Sequence, residues 1–283
     1  MLDHQRSLDP RPFLGKLVTY TGLGLFTLLT IVPLVWLLYS SLKTNGEIMR
    51  NALALPETPY WANYTRAWEL GNLGTYFFNS VLYTGIGTLG TVVLSLSTGY
   101  GIASFGYKIG KVFSGLLLAG ILISVHSVLV PLFILESKVG LINTRLGILL
   151  PYIAFGLPMG VLLASAFIRN IPAAIQESAQ IDGATWLQIF VRIILPFSQP
   201  VLATIAILTF LQNWNEFVFV FILSSSEAMK SLPVGINSFA GSLNTDFGMQ
   251  FAGLVIGTVP VLIFYTLFHK QLAQGFAEGG VKE

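Results

Sequence analysis

The chain has no cysteine and few charged residues for its length. Its 283 residues include 15 Lys and Arg and 13 Asp and Glu, so 10% are charged and the net charge is +2. Without cysteine, the sequence excludes disulfides, thiolate catalysis and Cys-based metal sites. Soluble domains contain about 25% charged residues, whereas 54% of this chain is hydrophobic. The composition therefore predicts an all-α polytopic membrane protein, and the small net charge argues against nucleic acid as a partner.

The sequence also lacks the standard motifs for nucleotides and metals. Gly15-Lys16 and Gly110-Lys111 both lack the first glycine of a phosphate-binding loop and the Ser or Thr after its lysine. The histidines, His4, His126 and His269, are isolated, so they form no His-Glu-x-x-His site. No paired carboxylates or nucleophile motif supports a membrane-embedded enzyme. We expect no catalytic residue, metal or cofactor in this chain, and any ATPase that drives it must be a separate polypeptide.

Six apolar stretches are long enough to cross a hydrocarbon core, which needs roughly 20 residues. They are residues 17–40, 76–104, 112–135, 146–168, 199–223 and 250–268. Six spans put both termini on one side, and with the N-terminus inside, nine of the fifteen Lys and Arg are cytoplasmic, in the direction of the positive-inside rule. We expect a cytoplasmic tail (1–16), a first helix with an external loop (17–75), a transmembrane core (76–270) that contains an inner loop (171–198), and a cytoplasmic tail (271–283).

The inner loop carries a dense set of helix start and stop signals. Pro172 suits the first position of a helix, and Asp182-Gly183 predicts a turn in which Gly183 is left-handed. Thr185 and Gln188 have the spacing of a capping box for a second helix. The pattern predicts a rigid elbow of helix, tight turn and helix. This elbow is equally compatible with two roles: it transmits force between subunits, or it is an interfacial helix that lies on the bilayer surface. The second helix has an apolar stripe at helical spacing: Ile189, Phe190, Ile193 and Ile194.

This inner loop resembles the EAA loop of the membrane subunits of ABC importers. The resemblance rests on Glu177-Ser178-Ala179, Asp182-Gly183-Ala184 and Ile194-Leu195-Pro196, with Ser178 where the family has Ala. In that family the loop forms a coupling helix that docks into a groove on the ATP-binding subunit. The resemblance implies that Glu177, Asp182 and Gly183 set the elbow, and that Ala179, Ala184 and Leu187 contact the groove. The ATPase-coupling loop so defined consists of Glu177, Ser178, Ala179, Asp182, Gly183, Ala184, Leu187 and Pro196.

Two ionisable side chains, Glu216 and His126, fall inside predicted spans. A charged group at the bilayer centre costs about 2.5–3.5 kcal/mol on insertion scales, so it normally faces the bundle interior or water. Together with Asn213, Trp214 and Asn215, Glu216 forms a polar patch with an aromatic platform. Such a patch suits a sugar in a substrate pathway, and it suits a structural hydrogen-bonded node equally well. For His126 an interhelical hydrogen bond is the favoured interpretation. The alternative function is a stand-alone ion-coupled transporter or channel that uses both residues.

Further segments resemble the second permease of maltose-type carbohydrate importers. They are Phe78-Asn79-Ser80, Asn213-Trp214-Asn215-Glu216-Phe217, Leu232-Pro233-Val234-Gly235, Val259-Pro260-Val261 and Gly279-Gly280-Val281-Lys282. The resemblance implies the type I ABC importer permease fold, in the cytoplasmic membrane of a bacterium or archaeon. The implied partners are a homologous second permease, two ATP-binding subunits that hold ATP and Mg, an extracytoplasmic sugar-binding protein and membrane lipid.

Overall fold

The computed structural model describes residues 11–104, 107–241 and 245–280, with side chains for 15–104, 110–241 and 245–268. The predicted tail 1–16 therefore lies largely outside the described residues, as does the end of the tail 271–283, including Val281-Lys282. His4 also falls outside them. Within the described ranges the chain is helical, and its one extended feature is an isolated antiparallel bridge between Ala240 and Thr245.

The described residues form fourteen α-helices, a π-helical turn at Phe190–Ile194 and a 3-10 turn at Glu227–Met229. The helices are α1 (Arg11–Ser40), α2 (Asn45–Arg50), α3 (Ala62–Glu69), α4 (Leu73–Ser104), α5 (Tyr107–Ile121), α6 (Val125–Lys138), α7 (Arg145–Arg169), α8 (Ala173–Ile181), α9 (Trp186–Ile189), α10 (Leu195–Phe197), α11 (Gln199–Trp214), α12 (Val218–Leu223), α13 (Leu232–Ser238) and α14 (Phe247–Gly280).

Four of these helices, α1, α4, α7 and α14, are long and apolar enough to cross a membrane. They correspond to the predicted first, second, fourth and sixth spans, although α14 continues as a helix well beyond the apolar stretch. Two bent pairs of helices also pass this test when each pair is taken together, α5 with α6 and the helical run Trp186–Phe197 with α11, and each pair is either a broken span or a re-entrant loop. Counting each pair as one span gives six among the described residues.

The third and fifth predicted spans each consist of two helices. The third consists of α5 and α6, which meet at an angle of 100°. The predicted fifth span consists of α11 and α12, which are interrupted after Trp214. A further bend of 74° precedes α11 at Ser198, where Pro200 cannot donate a backbone hydrogen bond to the preceding turn. Hydropathy measures how apolar a segment is and carries no information about its direction.

Helices α4 and α7 pack closely because small residues face each other along both. A Cβ atom placed on Gly156 would lie 2.8 Å from Cγ2 of Thr91, and one placed on Gly99 would lie 2.8 Å from Cβ of Ala164. Small residues allow this approach in a bilayer, where apolar side chains alone do not favour helix association. Helix α11 also packs against α4. Residues 68–238 and 256–280 form one compact unit, and α4 is the helix around which it is built.

The other compact unit contains described residues 11–67 and 239–255 apart from 242–244. Its loop after α1 is held by a buried lysine, since the Lys43 ammonium group donates to the carbonyl groups of Asn51 at 2.6 Å and Ala54 at 2.9 Å. Arg66 and Asp246 form an ion pair at 2.5 Å. A loop of this length is thereby folded by polar contacts as well as by apolar burial.

Candidate functional site

The predicted elbow exists, and its turn is a complete Schellman motif. Helix α8 ends at Ile181, and Gly183 has a φ of +81°. The N–H of Ala184 donates to the carbonyl of Ala179 at 2.9 Å, and the N–H of Gly183 donates to the carbonyl of Gln180 at 3.0 Å. These two bonds satisfy carbonyl groups that a helix end otherwise leaves unpaired. The left-handed residue therefore sets the direction in which the chain leaves α8.

The second arm of the elbow begins with the predicted capping box. The Thr185 hydroxyl accepts the N–H of Gln188 at 3.3 Å, and Oε1 of Gln188 accepts the N–H of Thr185 at 2.8 Å. Helix α9 then passes through the π-helical turn into α10, which contains Pro196 near its start. Both arms are thus closed at the turn by local hydrogen bonds, which makes the elbow stiff.

The root of the elbow is apolar and packs on the ends of α4 and α7. We define the elbow cluster as the buried residues Leu96, Tyr100, Ile168, Ile171, Ile189 and Ile194. The ring of Tyr100 in α4 lies 5.4 Å from the ring of Phe190, centroid to centroid. The half-buried side chains of Ala179 and Ala184 pack against the same cluster. These two alanines, which were predicted to contact a partner, thus also pack in part against their own protein.

The outer surface of the elbow exposes large apolar side chains. Leu187, which was among the predicted contacts, is 71% exposed, and Ile181 is 87% exposed. The ring of Trp186 beside them is about half exposed. The sequence interpretation overlooked Ile181 and Trp186. The signal that could have revealed both was present, because each is a large apolar residue outside the stripe that packs on the elbow cluster.

Three residues of the predicted coupling loop form the polar surface of the elbow. Glu177, Ser178 and Asp182 are exposed, and the Ser178 hydroxyl donates to the carbonyl of Ala174 one turn earlier. A serine at this position of α8 therefore bonds within its own helix. Pro196 is exposed as well.

The four residues predicted for a substrate pathway lie together at the end of α11, in different environments. The indole N–H of Trp214 donates to the carbonyl of Gly257 in α14 at 3.0 Å. The Asn213 amide nitrogen is buried and has no hydrogen-bond partner among the described residues. Asn215 is the exposed member, and its amide bonds to the carbonyl of Leu211 at 2.8 Å.

Glu216 caps the helix that follows it. Its carboxylate accepts the N–H of Phe219 at 2.7 Å and the N–H of Val220 at 3.4 Å, at the start of α12. Tyr152 in α7 lies beside this carboxylate. Backbone donors at a helix start stabilise an anion, which explains how a half-buried carboxylate is accommodated where α11 and α12 are interrupted.

His126 lies in the first turn of α6 and is exposed. No hydrogen bond to its imidazole is found within the described part of the chain, so the structure does not show the predicted interhelical bond. Glu136, which the sequence interpretation overlooked, is buried, whereas His126 in the same helix is exposed. Its carboxylate lies against Gly147 in the first turn of α7, and a Cβ atom on that glycine would be 2.8 Å from Oε2 of Glu136.

Comparison with known proteins gives a consistent result over most of the chain. Residues 92–277 match the family described as binding-protein-dependent transport system inner membrane component. The chain is 34% identical over 270 residues to the probable ABC transporter permease protein YurM of Bacillus subtilis, covering 95% of this chain and 90% of that protein. It is 34% identical over 264 residues to the diacetylchitobiose uptake system permease protein NgcG of Streptomyces coelicolor, covering 93% and 87%.

A solved structure extends the likeness to the fold. One chain of a bacterial ABC transporter involved in the import of the acidic polysaccharide alginate superposes with a TM-score of 0.78. The sequence identity is 24%, and the superposition covers 95% of this chain and 99% of that chain. At this identity the superposition shows that the two chains share an arrangement of helices. Alginate is the substrate of that transporter, and the superposition carries no information about the substrate of this chain.

Proposed function

The chain belongs to the family of binding-protein-dependent transport system inner membrane components, and from this premise we propose that its cargo is a sugar or oligosaccharide. The predicted fold, an all-α ABC importer permease, is confirmed. A permease of this family is a transport subunit, and the ATPase is a separate polypeptide. The alternative of a stand-alone ion-coupled transporter based on Glu216 and His126 is wrong, because the relatives are ABC permeases.

The sugar proposal is supported by relatives and by residues of this chain. The Streptomyces relative is a permease for diacetylchitobiose, which is an oligosaccharide by name. In this chain, the segment Asn213–Glu216 combines amide groups with an aromatic ring, and we propose it as part of the substrate pathway. Within it, Asn215 has the exposed amide, whereas Trp214 and Glu216 are bound to their own protein. We assign the direct contact to Asn215 and positioning roles to Asn213, Trp214 and Glu216.

The elbow is the proposed contact with the ATPase. Gly183 and Asp182 set its angle, Glu177 and Ser178 form its polar surface, and Leu187 reaches the groove of the ATP-binding subunit. We add Ile181 and Trp186 to this contact because large exposed apolar side chains at a rigid turn are typical anchors of an interface. Ala179 and Ala184 complete the coupling loop on the side that packs against the elbow cluster, and Pro196 completes it in α10.

The proposed assembly contains one copy of this chain and four kinds of partner component. They are a homologous second permease, two ATP-binding subunits that hold ATP and Mg, an extracytoplasmic sugar-binding protein and the surrounding membrane lipid. The protein is proposed to lie in the cytoplasmic membrane, with the tails 1–16 and 271–283 and the loop 171–198 inside. Residues 17–75 then contribute the first helix and an external loop, and 76–270 form the transmembrane core.

Capture of the ATPase after mild detergent extraction tests the elbow contact. Truncation of Leu187 to Ala removes apolar area that docking would partly bury, and a loss of about 1.4 kcal/mol corresponds to a roughly ten-fold weaker capture. Leu53→Ala is the matched control, because Leu53 is 77% exposed and belongs to the proposed external loop. Equal capture by the Leu187→Ala and Leu53→Ala variants would contradict the assignment of the elbow.

Topology has an independent test, because the chain contains no cysteine. A single cysteine in place of the exposed Gln180 in α8 should react with a membrane-impermeant maleimide only in inside-out vesicles. A cysteine in place of the exposed Asn237 in α13 should react only in right-side-out vesicles. Reaction of the Gln180→Cys variant from outside would overturn the proposed orientation.

A further inference from the structure

One face of α4, near its N-terminus, is hydrogen-bonded to the loop 224–231 that connects α12 to α13. The Asn79 amide donates to the carbonyl groups of Ala228 at 2.8 Å and Lys230 at 3.0 Å. The Tyr83 hydroxyl donates to the carbonyl of Met229 at 3.1 Å. Successive carbonyl groups of the loop are thus held by side chains of a single helix.

The same face of α4 also binds the residues on either side of 228–230, which are Glu227 and Leu232. The Ser80 hydroxyl accepts the N–H of Leu232 at 2.8 Å where α13 begins, and the Tyr76 hydroxyl donates to the carboxylate of Glu227. The contacting residues of α4 follow a helical spacing of three and four, so they form one stripe: Tyr76, Asn79, Ser80 and Tyr83. This stripe includes two of the three residues of the Phe78-Asn79-Ser80 motif, and its partners reach into Leu232-Pro233-Val234-Gly235.

A second asparagine holds the beginning of the loop. Oδ1 of Asn143 accepts the N–H groups of Ser225 at 3.1 Å and Ser226 at 3.0 Å, while the N–H of Asn143 donates to the carbonyl of Leu223 at 2.7 Å. Asn143 itself has a φ of +59°, a conformation that asparagine adopts more readily than most residues. The loop is therefore bound along most of its length by fixed donors and acceptors.

The other end of α4 belongs to the elbow cluster. Leu96 and Tyr100 are buried there with Ile189 and Ile194, and Tyr100 also packs its ring on Phe190. Helix α4 has 32 residues and no proline, and at 1.5 Å per residue the distance from Tyr76 to Tyr100 is about 36 Å. A single uninterrupted helix therefore contacts the elbow at one end and the loop 224–231 at the other.

We propose that Asn79, Ser80 and Tyr83 are positioning residues that make the loop 224–231 move with α4, and hence with the elbow. This inference rests on the proposed function of the elbow as the ATPase contact. Displacement of the elbow by the ATPase shifts the end of α4 that carries Leu96 and Tyr100. The loop on the opposite side follows, because its carbonyl groups are bonded to the same helix. A packed helix with fixed contacts at both ends is a physical route for such coupling.

The test uses the assembled transporter with its own partners in proteoliposomes. A nitroxide on a single cysteine at the exposed Ala228 reports the motion of the loop by electron paramagnetic resonance, with and without ATP and Mg. Asn79→Leu removes both amide bonds at similar volume, and Tyr83→Phe removes one hydroxyl. Tyr39→Phe is the matched control, because it deletes a tyrosine hydroxyl bond to the carbonyl of Leu53 at 3.0 Å that involves neither α4 nor the loop.

In the unaltered chain, ATP should change the nitroxide spectrum. Asn79→Leu and Tyr83→Phe should reduce that change, and the solute carried per ATP hydrolysed, by about five-fold or more. Capture of the ATPase and basal ATP hydrolysis should stay unchanged, as should all readouts in the Tyr39→Phe variant. Tyr83→Phe leaves the amide bonds in place, so it provides the test even if Asn79→Leu does not fold.

Two results would overturn the proposal. One is an unaltered response to ATP in the Tyr83→Phe and Asn79→Leu variants, which would show that the loop moves without these bonds. The other is a loss of ATPase capture in parallel with transport, which would indicate a purely structural role. Failure of the proposed function is a distinguishable outcome, because the unaltered chain would then capture no ATPase and show no response to ATP.

Discussion

Replacement of Gly183 by Val should uncouple ATP hydrolysis from transport while leaving the membrane fold intact. Gly183 has a φ of +81°, and a Cβ atom built on it would meet no heavy atom within 4 Å. The penalty for a side chain at this position is therefore purely conformational. It acts on the turn that joins α8 to α9 and on the two Schellman bonds around it.

The magnitude follows from the cost of the left-handed region for a residue with a Cβ atom. That cost is about 1–2 kcal/mol for an ordinary residue, and a β-branched residue lies at the upper end of it or above. A change of about 2 kcal/mol alters the population of the native turn by about 30-fold. Gly183→Asn should lose much less, because asparagine is the usual substitute for glycine at this position of the motif.

The chain contains a matched control in Gly140, which ends α6 in the same way. It has a φ of +72° with open space around its Cβ position. The N–H of Leu141 donates to the carbonyl of Glu136 at 2.9 Å, and the N–H of Gly140 donates to that of Ser137 at 3.3 Å. Gly140→Val therefore imposes the same strain on a Schellman turn outside the elbow.

The assay measures solute uptake and ATP hydrolysis by the assembled transporter in proteoliposomes, together with the amount of ATPase captured. Gly183→Val should lower the solute carried per ATP, Gly183→Asn should restore it, and Gly140→Val should leave the ratio unchanged. Normal coupling in Gly183→Val would refute the reasoning, as would an equal loss in Gly140→Val.

The remaining predictions concern local contacts. Thr185→Ala and Gln188→Ala should each destabilise the start of α9 by about 1 kcal/mol, and the double variant should cost less than the sum, as measured by hydrogen exchange. The pKa of Glu227 is lowered chiefly by its hydrogen bond from Lys230. The stabilisation from that carboxylate is therefore present above pH 4.5, its ordinary pKa, and is lost as the pH falls through the lowered value. As the pH falls through that value, the mobility of a nitroxide in the loop 224–231 should rise in the unaltered chain. In the Glu227→Gln variant the same fall in pH should leave the mobility unchanged. Asn143→Gly keeps the backbone conformation yet leaves loop N–H groups unpaired, so limited proteolysis should cut that loop faster, and unaltered cleavage would contradict its anchoring role.

The elbow could be predicted from the sequence because its signals are local. A proline at a helix start, a glycine with left-handed geometry and a capping box act within a few residues, so neighbouring side chains are not needed to interpret them. The predicted turn at Gly183 and the predicted bonds of Thr185 and Gln188 are confirmed. The exposed side of the elbow was less predictable, since Ala179 and Ala184 pack in part against the elbow cluster and Ile181 does not.

The polar residues near the end of α11 show the limit of such interpretation. The sequence places Glu216 in an apolar run, where a carboxylate indicates a functional site or a node between helices. The break between α11 and α12 exposes backbone N–H groups that bind it. The break coincides with the polar residues 212–216, but the directions of the two helices depend on which neighbours pack against each segment.

Sequence alone determined the membrane class, the apolar stretches and the geometry of the elbow, because hydropathy and capping are properties of short stretches. Only the tertiary structure decided that the third predicted span is bent and the fifth is interrupted, and that Asn79, Ser80 and Tyr83 hold a loop about 150 residues further along the chain. Those bonds join groups that are distant in sequence, so their existence depends on how α4 packs within its unit. The motif Phe78-Asn79-Ser80 can be recognised in the sequence, but the hydrogen bonds that Asn79 and Ser80 make are seen only in the structure.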